Sequence, residues 1–289
     1  MKIEAVKEIY DSLDSSLYGE KNIENSLGIL YHENSKFTEF GFRVETESIE
    51  RFASKYIAER SSQPFKQYPG AKSFDLEPYK GFMPQVPMVK CLTKRRSVRE
   101  YDKNYKISLN ELALLLYHSY GITAKSKIRM FGVEGHIGMR NVPSGGALYP
   151  LEIYVAVLNS HITPGLYHYR IDNNSLELIR EGLFTDELVK MIHAEPYVTL
   201  STASAVIFTT GIIERLLIKY GDRGYRFMMI EAGMVGQTLS LLAESVDLGS
   251  CMLGGFYDDK LNSFLEVDGV FEAVNNVLII GKKNDHECS

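Results

Sequence analysis

The sequence predicts an α+β fold with a mixed central sheet flanked by helices. Two local patterns and one global one carry that reading. Residues 153–158 form a continuous apolar run of strand length, the mark of a strand buried on both faces. Residues 225–247 hold helix-spaced apolar positions long enough for one dominant helix. Between them, helical and strand patterns mix without strict βαβ alternation.

The elements follow in order. Residues 1–60 are polar and mostly helical in pattern, with Ile3, Val6 and Tyr10, then Ile49, Phe52 and Tyr56, at helical spacing. Residues 61–90 hold five of the nine prolines, Pro64, Pro69, Pro78, Pro84 and Pro87. Proline removes a backbone donor and fixes φ, so this stretch reads as an extended connector over its own domain or a partner subunit. Ser108 and Glu111 form a capping box. Leu109, Leu112, Leu116 and Tyr120 continue that helix's apolar face, and Gly121 suits its stop. After the strand at 153–158, residues 166–171 and 176–179 flank Asp172-Asn-Asn-Ser175 as a hairpin. A strand is expected at 205–210. Ile230, Met234, Val235, Thr238, Leu241, Leu242 and Ser245 form one stripe of the long helix. Short strands at 251–253 and 276–280 enclose a helix near 259–264. The expected division is an N-terminal helical and proline-rich extension, 1–90, and a main domain, 91–289.

Composition bounds the function. The chain has 289 residues, 45% hydrophobic and 24% charged, with a formal net charge of −5. That is ordinary globular usage, unlike a disordered, collagen-like or coiled-coil chain. Mild acidity speaks against a nucleic-acid binder. Cys91, Cys251 and Cys288 lie far apart and form no CxxC pair, which fits a reducing cytoplasm. The start lacks a basic tip and apolar run, so no signal peptide is expected. Apolar runs such as 112–117 fall far short of the ~20 residues that span a bilayer. The seven histidines match no HExxH pattern, so no metal site is expected. GxSxG, P-loop and GxGxxG motifs do not occur.

Five motifs remain. Lys94-Arg95-Arg96-Ser97-Val98-Arg99 has four cations in six residues: an anion cradle of guanidinium forks and a hydroxyl, or a solvated basic segment. Pro143-Ser144-Gly145-Gly146, continuing to Pro150, is a stiffened glycine loop that lets backbone approach a flat ligand, or a tight turn into a strand. Lys219 and Tyr220 precede Gly221 at the start of the long helix. Their free pKa values near ~10 need tuning for base chemistry. A neighbouring ammonium would lower the tyrosine's value. Adjacent side chains diverge on regular elements, so both serve one site only through an irregular backbone. Gly254-Gly255 follows a strand, and Lys282-Lys283 ends the last one; both suit close approach to a phosphate.

In this order the motifs resemble the nitroreductase-like FMN superfamily, and within it the SagB-type dehydrogenases, the oxidase subunits of thiazole/oxazole-modified peptide synthetases. The resemblance covers roughly residues 91–283. Its pieces are Arg95-x-Ser97-x-Arg99, the PSGGALYP loop at 143–150, Lys219-Tyr220 with Arg223-Gly-Tyr-Arg226, and Glu231-Ala-Gly233 with Gln237. Tyr31-His-Glu-Asn-Ser-Lys36 looks like a short motif near the start of many such chains.

The resemblance implies a four- or five-stranded sheet, an intertwined homodimer, and two FMN sites each built from both chains. It implies FMN held by Arg95, Arg96, Ser97, Arg99, Pro143, Ser144, Gly145, Gly146, Gln237, Gly254, Gly255, Lys282 and Lys283. The implied activity is aromatisation of thiazoline or oxazoline rings in a ribosomally made precursor peptide. Hydride goes to flavin N5, and oxygen re-oxidises the flavin. Tyr220 is expected as base and Lys219 as its electrostatic partner, with the roles exchangeable. The implied partners are the azoline-containing precursor peptide, a cyclodehydratase and a leader-binding subunit. The alternatives are an NAD(P)H-dependent nitro or quinone reductase, a flavoenzyme of another peptide modification, and a non-catalytic scaffold subunit.

Overall fold

The computed structural model describes residues 26–36, 65–130 and 133–284. The expected helices around 3–10 and 49–56 lie outside these residues, as does Cys288. The chain divides into two compact units, Met1–Glu47 and Ser48–Ser289. In the first, α1 (Leu27–Asn34) is capped by Ser26, whose hydroxyl accepts from Ile29 N at 3.4 Å. The Tyr31–Lys36 motif forms the end of that helix.

The second unit is built on one sheet. Its strands are β1 (Lys72–Asp75), β4 (Leu151–Val157), β5 (Gly165–Arg170), β6 (Ser175–Glu181), β7 (Ala205–Ile212), β8 (Leu248–Leu253) and β9 (Glu272–Lys282). They lie in the order β1-β6-β5-β4-β7-β9-β8. Among the described residues the sheet has seven strands, wider than the resemblance implies. The six expected strands are all present, and the seventh, β1, comes from the proline-rich stretch. Proline is tolerated beside an edge strand, and among the described residues β1 pairs with β6 alone. Among the described residues every strand pair is antiparallel, and the parallel pairing is in single bridges, Ser97–Ser250 and Ile107–Ser160.

β4 is buried along its whole length because helices cover both faces. Leu151, Ile153, Val155 and Val157 face α3 (Leu109–Tyr120) and α6 (Arg223–Ser245). Tyr154, Ala156 and Leu158 face α4 (Thr185–Met191) and α7 (Asp258–Phe264). The capping box at Ser108 forms as expected. Gly121 ends α3 at φ −70°, so its role is spatial rather than conformational: a Cβ there would fall 2.5 Å from Tyr117 O.

Two features differ from expectation. A second, two-stranded ribbon, β2 (Ile122–Met130) with β3 (Val133–Arg140), intervenes before the glycine loop. On α6 the buried stripe is Met228, Ala232, Val235, Leu239 and Ala243, while Ile230 and Met234 are exposed. The small residues turn inward because the helix lies close to its neighbours: a Cβ on Gly236 would sit 2.6 Å from Met252 Sδ.

Candidate active site

α5 (Glu214–Tyr220) leaves the end of β7 and carries Lys219 and Tyr220 as its last two residues. Gly221, at φ 50°, breaks the helix and turns the chain into α6. Gly224 lets the two helices touch, since a Cβ there would lie 2.9 Å from Leu216. This helix end supplies the irregular backbone that two adjacent side chains need to converge. Both reach the glycine loop. A Cβ on Gly146 would fall 2.6 Å from Tyr220 Oη and 2.7 Å from Lys219 Nζ. Phe227 backs the arrangement: its ring meets the Tyr220 ring edge-on at 5.1 Å, and a Cβ on Gly145 would lie 3.2 Å from it.

The loop is held in an unusual shape. Gly146, Ala147 and Tyr149 all have positive φ, at 62°, 55° and 46°. Glycine takes such a φ freely, but at Ala147 and Tyr149 it costs roughly 1–3 kcal/mol each and persists only where the surroundings hold it. Here Tyr149 N donates to Ser144 Oγ at 2.9 Å, Tyr149 Oη accepts from Arg140 N at 3.0 Å, and Tyr149 O accepts from Arg215 at 3.2 Å. The Arg140 guanidinium packs over the Tyr120 and Tyr149 rings at 4.3 and 4.7 Å. Below the loop, buried Glu231 on α6 accepts from Tyr120 Oη at 2.6 Å, and that hydroxyl accepts from Leu151 N at 3.2 Å. Burial pushes the Glu231 carboxyl up, against Ser144 and Tyr120, which favour its ionised form.

Burial moves the two tips in opposite directions. It lowers the Lys219 ammonium's pKa and raises the Tyr220 phenol's. The Tyr220 shift is thus upward, opposite to the lowering expected from a neighbouring ammonium. Burial thus disfavours the ammonium form of Lys219 and the phenolate form of Tyr220.

The remaining motifs lie elsewhere. Ser97 bridges to Ser250, which pairs with Ile280, then Ala205, then Val157, in one row across the sheet. Tyr101 bridges to Lys283 at the same end. Arg95 is half-buried at the end of α2 (Met88–Lys94), and Arg96, Ser97 and Arg99 are exposed. Among the described residues these three arginines form no ion pair. Lys282 and Lys283 do, with Asp247 at 2.6 Å and Glu244 at 2.8 Å. Gln237 is exposed midway along α6, and Gly254 and Gly255 are exposed just past β8. The glycine loop lies at the other end of the sheet, where Leu151 pairs with Gly211. The two ends of β4 are six residues, or about 20 Å, apart at strand rise. The cation cluster and the Lys219–Tyr220 pair of one chain thus stand at opposite ends of its sheet.

Sequence reasoning missed Arg215, Phe227, Arg140 and Glu152. Arg215 had a usable signal, since it precedes Lys219 by one helical turn. The other three are placed by tertiary packing.

Two proton-bearing tips packed on a loop without side chains suit proton transfer beside a flat electron-accepting ring, the task of an oxidoreductase. The chain belongs to the nitroreductase family, whose description, "Nitroreductase family", matches residues 92–282. It is 33% identical over 184 residues to a nitroreductase-type protein of Methanocaldococcus jannaschii, MJ1384, covering 63% of this chain and 86% of that one. It is 27% identical over 192 residues to the microcin B17-processing protein McbC of Escherichia coli, covering 65% of this chain but 66% of McbC. A nitroreductase-type crystal structure from Anabaena variabilis superposes with a TM-score of 0.68 at 26% identity. That match covers 88% of this chain and only 46% of the other. Among the described residues no helix is long and apolar enough to cross a membrane.

Proposed function

We propose that this protein is an FMN-dependent dehydrogenase that converts thiazoline or oxazoline rings of a ribosomally made peptide into thiazoles or oxazoles. The observation that carries the reading is the convergence of Lys219 Nζ and Tyr220 Oη on Gly146. Similarity to a microcin B17-processing protein supports a peptide substrate. A cyclodehydratase and a leader-binding subunit are the matching partners, and the cytoplasm is the matching compartment.

The residues present fit FMN. Arg95, Arg96, Ser97 and Arg99 offer charge-assisted donors to a phosphate dianion. Gly145 and Gly146 carry no side chains, so the Lys219 and Tyr220 tips and the Phe227 ring pack directly against the loop backbone, whose edge a planar ring could approach closely. When bound, FMN would supply the two-electron acceptor that takes one ring hydrogen as hydride. The other hydrogen leaves as a proton from the adjacent ring carbon, and the electron pair of that C–H bond becomes the new C=C bond. We assign that proton to Lys219 Nζ, exchanging the roles expected from sequence. Its ammonium is the form burial disfavours, and neutral amine is what a base must be. Tyr220, kept protonated by burial, orients the ring nitrogen or carbonyl by donating its hydroxyl proton.

The separation of cradle from pair supports a homodimer in which one protomer holds the phosphate and its partner supplies the loop, Lys219 and Tyr220. The exposed face of α6 fits such a partner: Tyr225, Met229, Ile230 and Met234 are 38–55% accessible. The experiment is the visible spectrum of the purified protein, followed by incubation with an azoline peptide and mass spectrometry for a loss of two hydrogens per ring. A flavin spectrum with ring oxidation supports the reading. Rapid bleaching by NADPH without peptide would instead favour a nitro or quinone reductase, a reading that similarity to MJ1384 keeps open. A colourless protein that FMN does not reconstitute would leave a scaffold.

A further inference from the structure

Arg215 is buried to 13% side-chain exposure and joins the two halves of the candidate site. Its guanidinium makes an ion pair with Glu152 Oε1 at 2.7 Å and donates to Tyr149 O at 3.2 Å. Tyr149 closes the glycine loop, and Glu152 stands two residues beyond Pro150 on β4. Arg215 itself lies on α5, one turn before Lys219. One side chain therefore sets the offset between the helix that carries the tips and the loop that forms their floor.

Its partner is itself fixed from behind. Glu152 Oε2 meets His168 Nε2 at 3.0 Å, and His168 Nδ1 meets Glu177 Oε2 at 3.1 Å. Glu177 also pairs with Arg170 at 3.4 Å and accepts from Tyr68 N at 3.2 Å. Tyr68 and Tyr154 flank the His168 ring, each at 5.2 Å. His168 and Glu152 are 0% and 1% exposed. The result is a row of alternating charge, Arg170–Glu177–His168–Glu152–Arg215, running across β6, β5 and β4 to α5. A buried row of this kind is costly to disturb, because removing one member leaves its neighbour charged and unpaired. By contrast α5 has only seven residues and one buried side chain, Leu216. A helix that short has little stability of its own.

We infer that Arg215 is a positioning residue for the Lys219–Tyr220 pair, and that Glu152, His168 and Glu177 are the buried backing that holds its guanidinium. This rests on the reading of Lys219 and Tyr220 as the working side chains. It is independent of which substrate they serve.

The test follows the amine directly. The full-length protein and its Arg215→Met, Arg215→Lys and Glu152→Gln variants are labelled with acetic anhydride across pH. Lys219 modification is followed by mass spectrometry, and thermal melts are recorded in parallel. In the wild type the labelling midpoint lies below that of the surface lysines. In Arg215→Met and Glu152→Gln it rises toward theirs as α5 loosens. Arg215→Lys recovers part of the shift, since an ammonium can make both contacts that Nη1 makes, to Glu152 and Tyr149, but from a shorter and unbranched side chain. With azoline substrate, kcat falls about 100-fold, the scale expected for an ångström of misplacement, while KM stays within about threefold. Folded variants that melt lower yet keep the wild-type Lys219 midpoint would reduce Arg215 to a structural tie and overturn the proposal. If Arg215→Met does not fold, Glu152→Gln and Arg215→Lys, which keep the shape of the site, are judged on the same midpoint. A midpoint that moves in a protein with no azoline turnover leaves this inference standing and removes the proposed substrate. Turnover with an unmoved midpoint does the reverse.

Discussion

Tyr220 Oη lies 2.6 Å from the point where a Cβ on Gly146 would stand, and Lys219 Nζ lies 2.7 Å from it. Gly146→Ala therefore meets two obstacles. Its φ of +62° costs an alanine about 1–2 kcal/mol, and its methyl group overlaps both tips. The expected result is a modest fall in denaturation midpoint with a loss of turnover near 100-fold. Gly145→Ala is the comparison. The atoms nearest its Cβ belong to Phe227, at 3.2 Å, and not to the two tips, so turnover should fall far less. Equal losses in both variants would remove the special place given to Gly146.

Lys219 must be neutral to accept a proton, and burial lowers its pKa from the ordinary value of 10.5. The turnover rate should rise with pH through that lowered pKa and level off above it. Lys219→Arg keeps the charge but cannot release its proton near neutrality, so it should lose 10²–10⁴-fold, the usual scale of general-base catalysis, roughly. Tyr220→Phe should retain the acid limb of the profile at a lower plateau. A Tyr220→Phe enzyme without that limb would return the base role to the phenol.

Much of this was legible in the chain. The six strands β4 to β9, the capping box and the long helix followed from period and punctuation, which are local signals. The PSGG loop and the Lys219–Tyr220 pair were legible as motifs, and the backbone break between them and α6 was readable from Gly221. What sequence could not supply was direction. Whether Ile230 or Ala232 faces the core depends on how closely α6 lies to the sheet, and bulk hydrophobicity points the wrong way there. Nor could spacing show that Arg95–Arg99 and Lys219 sit at opposite ends of the sheet. That follows from strand register, which joins residues a hundred positions apart.

The arginine cluster should recognise phosphate rather than ring. Arg95→Ala or Arg99→Ala should weaken FMN binding by about 10–100-fold, the scale of a lost charge-assisted hydrogen bond, and leave riboflavin binding nearly unchanged. Fluorescence titrations with both flavins make the comparison. Equal weakening for the two would place these arginines somewhere other than the phosphate.

A site assembled from two chains permits complementation. An Arg99→Ala homodimer and a Lys219→Ala homodimer are each expected to be impaired. After subunit exchange, half the dimers are mixed, and each holds one site with an intact cradle and an intact amine. Activity should return to about a quarter of the wild-type value, as the symmetry of a two-fold dimer requires. A site contained within one chain gives no recovery, because each chain of the mixed dimer still lacks one half.

His168 should make stability depend on pH in a definite direction. Burial alone would lower its pKa, but hydrogen bonds to Glu152 and Glu177 outweigh that, and the folded value lies above the ordinary 6.5. A raised folded pKa means the native state holds the proton more tightly than the unfolded chain. The stabilisation is fully present below pH 6.5 and is lost as pH rises through the folded value. Glu152 acts in the other window. Burial raises its pKa, but Arg215 and His168 bring it down to about 2, so its contribution is present above its ordinary 4.5 and fades only as pH falls toward 2. Between these limits His168→Gln should cost about 3–5 kcal/mol, since it removes the cation that two buried carboxylates share and leaves each with a single arginine. Urea denaturation of wild type and His168→Gln at several pH values from 5.5 to 9.5 measures the difference. The gap should be widest at the acid end and shrink as the wild-type imidazolium gives up its proton. A gap that holds constant across that range would mean the ring is neutral throughout, and that Arg215 and Arg170 alone balance the two carboxylates.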